Sequence, residues 1–203
     1  LQHIFLDTEF SGLHQNAALL SLAIVPDEGP WFYAVFTDVD TTTLSPWHQN
    51  NVVPHLLLTD EQRAQLPTGI YLRDTPEKIT HALRKYLEEL GEVVCWADVP
   101  AYDWVLLCEL FGGAFGLPKN VHYIVRDLAT LLEAKGYDID TDRFDLAYEN
   151  HQGADAGARV SSADGRVGEG QKAAATQEGL LRHNALGDAM ACKICWQKVN
   201  EHV

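Results

Sequence analysis

The sequence is short of positive charge. Lys and Arg together number 15 against 29 Asp and Glu, a net charge of -14 at pH 7. Proteins that hold nucleic acid through its phosphates usually carry a basic surface. Either the partner is not nucleic acid, or a short strand is held locally. Bound Mg²⁺ or Mn²⁺ would offset part of the acidic charge, since a metal ion is often the largest charge in its site. Cysteine is also scarce: Cys95, Cys108, Cys192 and Cys195 are the whole set. No signal-peptide pattern opens the chain, and no apolar run reaches the length of a membrane span. These absences give the expectation of a reducing cytoplasm, free thiols and no membrane partner. Cys192 and Cys195 have the C-x-x-C spacing of a metal or redox pair. A zinc site needs a second ligand pair and the sequence offers none, so the two read as buried faces of a helix over 185–199.

What is present is ordinary globular material. The chain has 203 residues, 46% hydrophobic and 22% charged. That suffices for one α/β domain with a substantial core and is too short for two comfortable domains.

Apolar runs at 3–7 and 17–25 and at Trp31–Phe36 read as strands. The cluster Pro26-Asp27-Glu28-Gly29-Pro30 between the second and third is a turn signal, so the three form an antiparallel meander. A short helix is expected at Pro46–Asn51, with Ser45 as N-cap and Pro46 at the first position. The clearest helix spans 75–90: Thr75 caps it, Ile79, Leu83, Tyr86, Leu87 and Leu90 form one face, and Gly91 ends it. A strand at 92–97, a helix at 101–111, a strand at 122–126 and a helix at 129–135 follow. Strands alternating with helices imply parallel crossovers. The whole pattern is α/β, a ribonuclease-H-like mixed sheet by analogy. Residues 152–176, rich in Gly, Ala and Ser, read as a mobile surface loop, either a lid or a plain insertion.

Three separated acidic elements carry the chemistry. Asp7-Thr8-Glu9 ends the first strand, where alternate side chains share a face. Asp7 and Glu9 converge and Thr8 points away. A carboxylate pair leaving a buried strand calls for a counter-charge, and a hard divalent cation supplies one; the bland alternative is solvated surface charge. Asp103 lies in the apolar early turn Ala101-Tyr102-Asp103-Trp104, where a helix macrodipole alone would also favour it. Asp188 falls within an apolar helical pattern, where unpaired burial is expensive. His183, one of nine histidines, is singled out by its spacing to Asp188.

Asp7-x-Glu9, then Asp103, then His183-x-Ala185-x-x-Asp188, in that order, resembles the DEDDh exonuclease superfamily, which includes ribonuclease T and the proofreading subunit of bacterial replicative polymerase. Asp7-Thr8-Glu9-Phe10, Pro46-Trp47 with Asn51-Val52 and Pro54, and Ala101-Tyr102-Asp103 are similar to the small stand-alone 3′-5′ exoribonucleases first described from mycobacteria. The chain departs from the superfamily pattern twice. Asp98-Val99 stands where a His-Asn pair is common, and Gly187 stands where an acidic residue often precedes the last aspartate.

The resemblance implies a single exonuclease domain over 1–203 that hydrolyses single-stranded RNA from its 3′ end. Two Mg²⁺ or Mn²⁺ ions would be held by Asp7, Glu9, Asp103 and Asp188, with His183 as general base and Glu9 sharing the catalytic work. Thr8, Phe10, Leu13 and Trp47 are the candidate substrate contacts, the aromatics because every base has a face to stack on; core packing is the alternative for Trp47. Relatives are often dimers, so a homodimer could lend Lys119, Arg126 or Lys172 to the partner's site. Three other readings stand beside this one: the same chemistry on DNA or short oligonucleotides, a catalytically idle ribonuclease-H-like module that binds a protein, and a thiol or zinc protein built on Cys192 and Cys195.

Overall fold

The apolar run before Asp7 becomes the centre of the molecule. In this computed structural model, which describes residues 1–148 and 179–200, strand β1 (Gln2–Phe10) lies inside a six-stranded sheet. It pairs antiparallel with β2 (Leu19–Pro26), which pairs antiparallel with β3 (Trp31–Phe36). The expected meander is therefore present. Beyond β3 lies β4 (Gly69–Asp74), parallel to it. On the other side of β1 come β5 (Val93–Ala97) and β6 (Arg126–Asp127), parallel to β1 and to β5 respectively. The order is β4-β3-β2-β1-β5-β6. This mixed sheet flanked by helices is the α/β architecture expected of a ribonuclease-H-like fold.

Seven α-helices are described: α1 (Pro46–Asn51), α2 (Asp60–Gln65), α3 (Pro76–Glu89), α4 (Ala101–Leu110), α5 (Leu128–Ala134), α6 (Arg143–Tyr148) and α7 (Ala185–Asn200). None of the described helices is long and apolar enough to cross a membrane. Period-two alternation sorts the sheet's side chains into two cores. Ile4, Leu6, Leu22, Ile24, Phe32 and Ala34 pack under α3 and α4. Phe5, Ala23, Val25, Tyr33 and Val35 pack under α5, α6 and α7. With both faces covered, β2 and β3 are buried along their whole length, as central strands of a three-layer protein should be.

Two local expectations need correction. The strand read at 122–126 shrinks to Arg126–Asp127, with Val121 making one isolated bridge to Val93. The His122 N–H still donates to the Val93 carbonyl at 2.9 Å, but its Nδ1 accepts the Ile124 N–H at 3.2 Å, and Tyr123 and Ile124 are exposed beyond the ladder. Thr75 occupies the N-cap of α3 without a side-chain capping bond, so the start is set by Pro76 at the first position. By contrast Gly91, at φ 74°, follows the end of α3 as expected. The loop at 152–176 lies outside the described residues.

Strand direction then fixes where a site can form. β1, β3, β4, β5 and β6 all run the same way, so their carboxyl ends share one edge of the sheet. The connections leave β1 towards β2 on one side while β5 lies on the other. A crevice outside the carboxyl ends at such a divergence is the usual ligand position in open α/β sheets.

Candidate active site

Alternation along β1 divides its acidic end between the two layers. Asp7 and Glu9 share the face of Phe5, which α7 covers; Thr8 shares the face of Ile4 and Leu6, which α4 covers. Asp7 and Glu9 therefore meet Asp188, in the first turn of α7. One carboxylate oxygen from each lies within 4.8 Å of the other two. Thr8 meets Asp103, in the first turn of α4. Its N–H and hydroxyl both donate to Asp103 Oδ1, at 2.9 and 2.6 Å. Asp103 thus stands outside the tight group of three, its orientation set by Thr8. Even so, its charge reaches both Asp7 and Glu9.

A cleft of about 890 Å³ opens over these groups. It is lined by Asp7, Thr8, Glu9, Phe10, Leu13, Trp47, Asp103, His183 and Asp188, the catalytic, metal and substrate-contact candidates read from the sequence, which the structure brings to one place. The lining also includes Ser45, His48, Asp98, Val99 and Tyr102, which sequence reasoning did not select as site residues. The sequence marked Asp98-Val99 as a departure from the superfamily pattern, Ser45 as a helix cap and Tyr102 as part of the Ala101-Tyr102-Asp103 motif, none of them as a site residue. His48 is one of nine histidines and nothing in its neighbourhood distinguishes it.

The electrostatics are those of crowded, desolvated acids. Burial lifts Asp7 well above the usual carboxylate range, and the charges of Asp188, Asp103, Glu9 and Asp98 add to the rise. Burial followed by Asp188 and Asp103 does the same to Glu9. Asp188 is pushed up to about 7 by burial, against the opposing pull of the His183 backbone amide, Arg182 and the Asn184 amide. Burial also raises Asp103, while its bonds from Thr8 work in the other direction. Like charges held together out of water need a cation. An all-oxygen donor set without Cys or His suits a hard divalent ion such as Mg²⁺ or Mn²⁺. Among the described residues, this is the one cluster of three such side chains that could hold a metal. Cys192 and Cys195 are free and buried in α7, as read from their helical spacing.

The remaining parts hold this group in shape. Asn184 caps α7: its Oδ1 accepts from Leu186 and Gly187 N–H at 3.1 and 3.2 Å, and its Nδ2 donates to Tyr33 Oη and the His55 carbonyl. His183 precedes it in a left-handed backbone conformation, φ 62°, which histidine tolerates better than most residues. Its ring meets Trp47 edge to face, centroids 5.0 Å apart. Burial, with His55 and Arg182 nearby, lowers the His183 pKa and favours the neutral imidazole. Trp47 is half-exposed, so core packing is not its position. Phe10 stacks on Tyr102 at 5.6 Å. His48 Nε2 lies 3.1 Å from the Phe10 carbonyl, and its Nδ1 is 2.7 Å from Ser45 Oγ. The carbonyl makes Nε2 a donor, and the two contacts pin the end of β1.

Both departures from the superfamily pattern have a local physical setting. A Cβ on Gly187 would lie 3.0 Å from the Leu181 carbonyl oxygen and 3.2 Å from Leu180 Cβ. A side chain there would require that segment to give by a few tenths of an ångström, so glycine suits the close approach to α7. Asp98 faces Arg143 on α6 at 3.1 Å; burial raises its pKa and Arg143 opposes the rise.

Comparison with known proteins agrees with this geometry. The family model of the Rv2179c-like 3′-5′ exoribonuclease domain matches residues 2–200. Two Mycobacterium tuberculosis proteins are each 32% identical to the chain over 134 residues, 65% of this chain and 74% of the relative. They are the 3′-5′ exoribonuclease MT2234.1 of strain CDC 1551 / Oshkosh and the 3′-5′ exoribonuclease Rv2179c of strain ATCC 25618 / H37Rv. The matched region takes in all but the ends of the sequence, and with it every carboxylate of the cleft: the chain belongs to the Rv2179c-like 3′-5′ exoribonuclease family.

Proposed function

We propose that this protein is a metal-dependent exoribonuclease that removes nucleoside monophosphates from the 3′ end of single-stranded RNA. The observation that carries the reading is the meeting of Asp7, Glu9 and Asp188, with ligand oxygens within 4.8 Å, in a cleft that also takes in Asp103 and His183. Family membership supports the same activity.

Asp7, Glu9 and Asp188 would hold divalent metal, Mg²⁺ or Mn²⁺, with Asp103 as the fourth ligand from the opposite layer. A bound metal pair supplies Lewis-acid stabilisation of charge on the phosphate oxygens. The chain's own residues do the rest. His183, kept neutral by burial, accepts a proton from the water that attacks phosphorus. A new P–O bond forms to that water and the bond to the 3′ oxygen of the preceding nucleotide breaks. One nucleoside monophosphate leaves, and the departing 3′ oxygen takes a proton from solvent to become the 3′ hydroxyl of the shortened strand. Trp47 holds the imidazole edge to face, Thr8 holds Asp103, and Phe10 and Leu13 offer apolar contacts to the terminal bases. The acidic surface agrees with a short end held locally rather than a long strand tracked by its phosphates.

The test is incubation of 5′-labelled RNA with Mn²⁺ or Mg²⁺, with and without chelator, beside a matched DNA strand. The expected result is a metal-dependent ladder that shortens from the 3′ end of the RNA. Asp7→Ala and Asp188→Ala abolish it while the fold survives. Wild-type activity in either variant contradicts the ligand assignment, and equal digestion of DNA moves the substrate class. A homodimer is part of the same proposal, checked by sedimentation.

A further inference from the structure

Val99 sits on the turn from β5 into α4 with φ at 51°. A β-branched residue is a genuine outlier there, because its Cβ crowds the following carbonyl. Among the described residues, His183 is the other non-glycine with positive φ, and both line the carboxylate cleft. The turn itself is firmly held. The Val99 N–H donates to Asp127 Oδ1 at 3.1 Å, and its carbonyl accepts from Ala101 N–H at 2.8 Å. Glycine would take this turn without strain.

Core packing does not account for a valine here, since it is 62% exposed. A strained backbone therefore carries an apolar side chain into water at the rim of an acidic cleft. Among the described residues, Leu13 and Trp47 are the other large hydrophobics exposed on that cleft. Leu13 follows β1 and Val99 follows β5, neighbouring parallel strands, so both leave the same edge of the sheet. Among the described residues, no Lys or Arg lines the cleft. Its described floor is carboxylate, and apolar side chains at the rim suit the uncharged base and sugar of a bound nucleotide. An exposed side chain that the core does not use, on a backbone it disfavours, fits contact with a bound molecule.

We propose that Val99 is a substrate-contacting residue that, with Leu13, grips the nucleoside beside the scissile phosphate by apolar contact. This rests on the exoribonuclease reading above. Val99 acts in binding and not in proton transfer or metal holding, so its loss raises KM and spares kcat.

Val99→Gly deletes the side chain and suits the backbone. Val99→Asn keeps comparable bulk, tolerates the same conformation and makes the contact polar. Steady-state kinetics on a 5′-labelled single-stranded oligoribonucleotide with Mn²⁺ are compared with thermal unfolding of each variant. The expected result is a KM raised about 3–10-fold in both, kcat within about twofold, and a Tm at or above wild type. An unchanged KM, a loss in kcat alone, or a Tm well below wild type overturns the assignment, the last because it would make Val99 a packing residue. Wild-type protein without metal-dependent turnover would instead defeat the parent reading, so the two failures are told apart.

Discussion

Thr8 is buried on the α4 side of β1, and its hydroxyl reaches Asp103. It donates to Asp103 Oδ1 at 2.6 Å while its own N–H donates to the same oxygen at 2.9 Å. The other oxygen is thereby turned by two bonds that approach from β1, the strand that bears Asp7 and Glu9. Partners that orient a metal-binding carboxylate typically contribute 10- to 100-fold to activity. Thr8→Val keeps the shape and removes one donor; its kcat/KM should fall by about 10–100-fold with Mn²⁺. Thr8→Ser restores the hydroxyl and should recover most of the loss. Full activity in Thr8→Val would show that the hydroxyl does not set the carboxylate. The sequence placed Thr8 among substrate contacts while reading its side chain as turned away from Asp7 and Glu9. Thr8 lines the cleft, and the partner of its hydroxyl on the side away from Asp7 and Glu9 is Asp103.

At the scale of elements, the start of α7 is the decisive joint. Asn184 ties it to β3 through Tyr33 and to the segment after α1 through the His55 carbonyl. Asn184→Ala removes the cap and strands those buried partners, and should lower stability by about 2–3 kcal/mol. Urea unfolding reads this directly, and a loss under about 0.5 kcal/mol would mean that water replaces the side chain. Activity should fall as well, because His183 and Asp188 flank the cap. Much of this architecture was legible. The meander, α3, α4, β5 and α7 all rest on long apolar patterns or on Pro and Gly at element ends. Elements without such patterns were not found. β4 is a half-exposed edge strand, and α2 is a six-residue helix with no buried residue. The Thr59-x-x-Gln62 capping box was the signal for α2. In the site, Asp7 and Glu9 follow from period two, but a contact such as Thr8 to Asp103 joins residues that no local spacing relates.

Over the whole molecule, the acidic cleft should govern response to pH and metal. Asp188 is pushed up to about 7, and Asp7 and Glu9 stand well above the ordinary range. Between the unfolded carboxylate range near pH 4 and about pH 7, the metal-free folded chain binds more protons than the unfolded chain. These groups therefore make it less stable as pH rises through that window. A bound divalent ion favours the ionised carboxylates and removes the penalty. Thermal melts from about pH 5 to 8, with Mn²⁺ and with chelator, should show a stabilisation by metal that grows with pH. Parallel curves would contradict the assignment of these carboxylates as the metal site. The arrangement of the chain has a consequence during synthesis. Asp7 and Glu9 emerge from the ribosome early, whereas Asp188 arrives on α7, after every strand of the sheet has been made. Under the proposed activity, a nascent chain is inert towards the message that encodes it, and cutting begins only once α7 has docked beside β1.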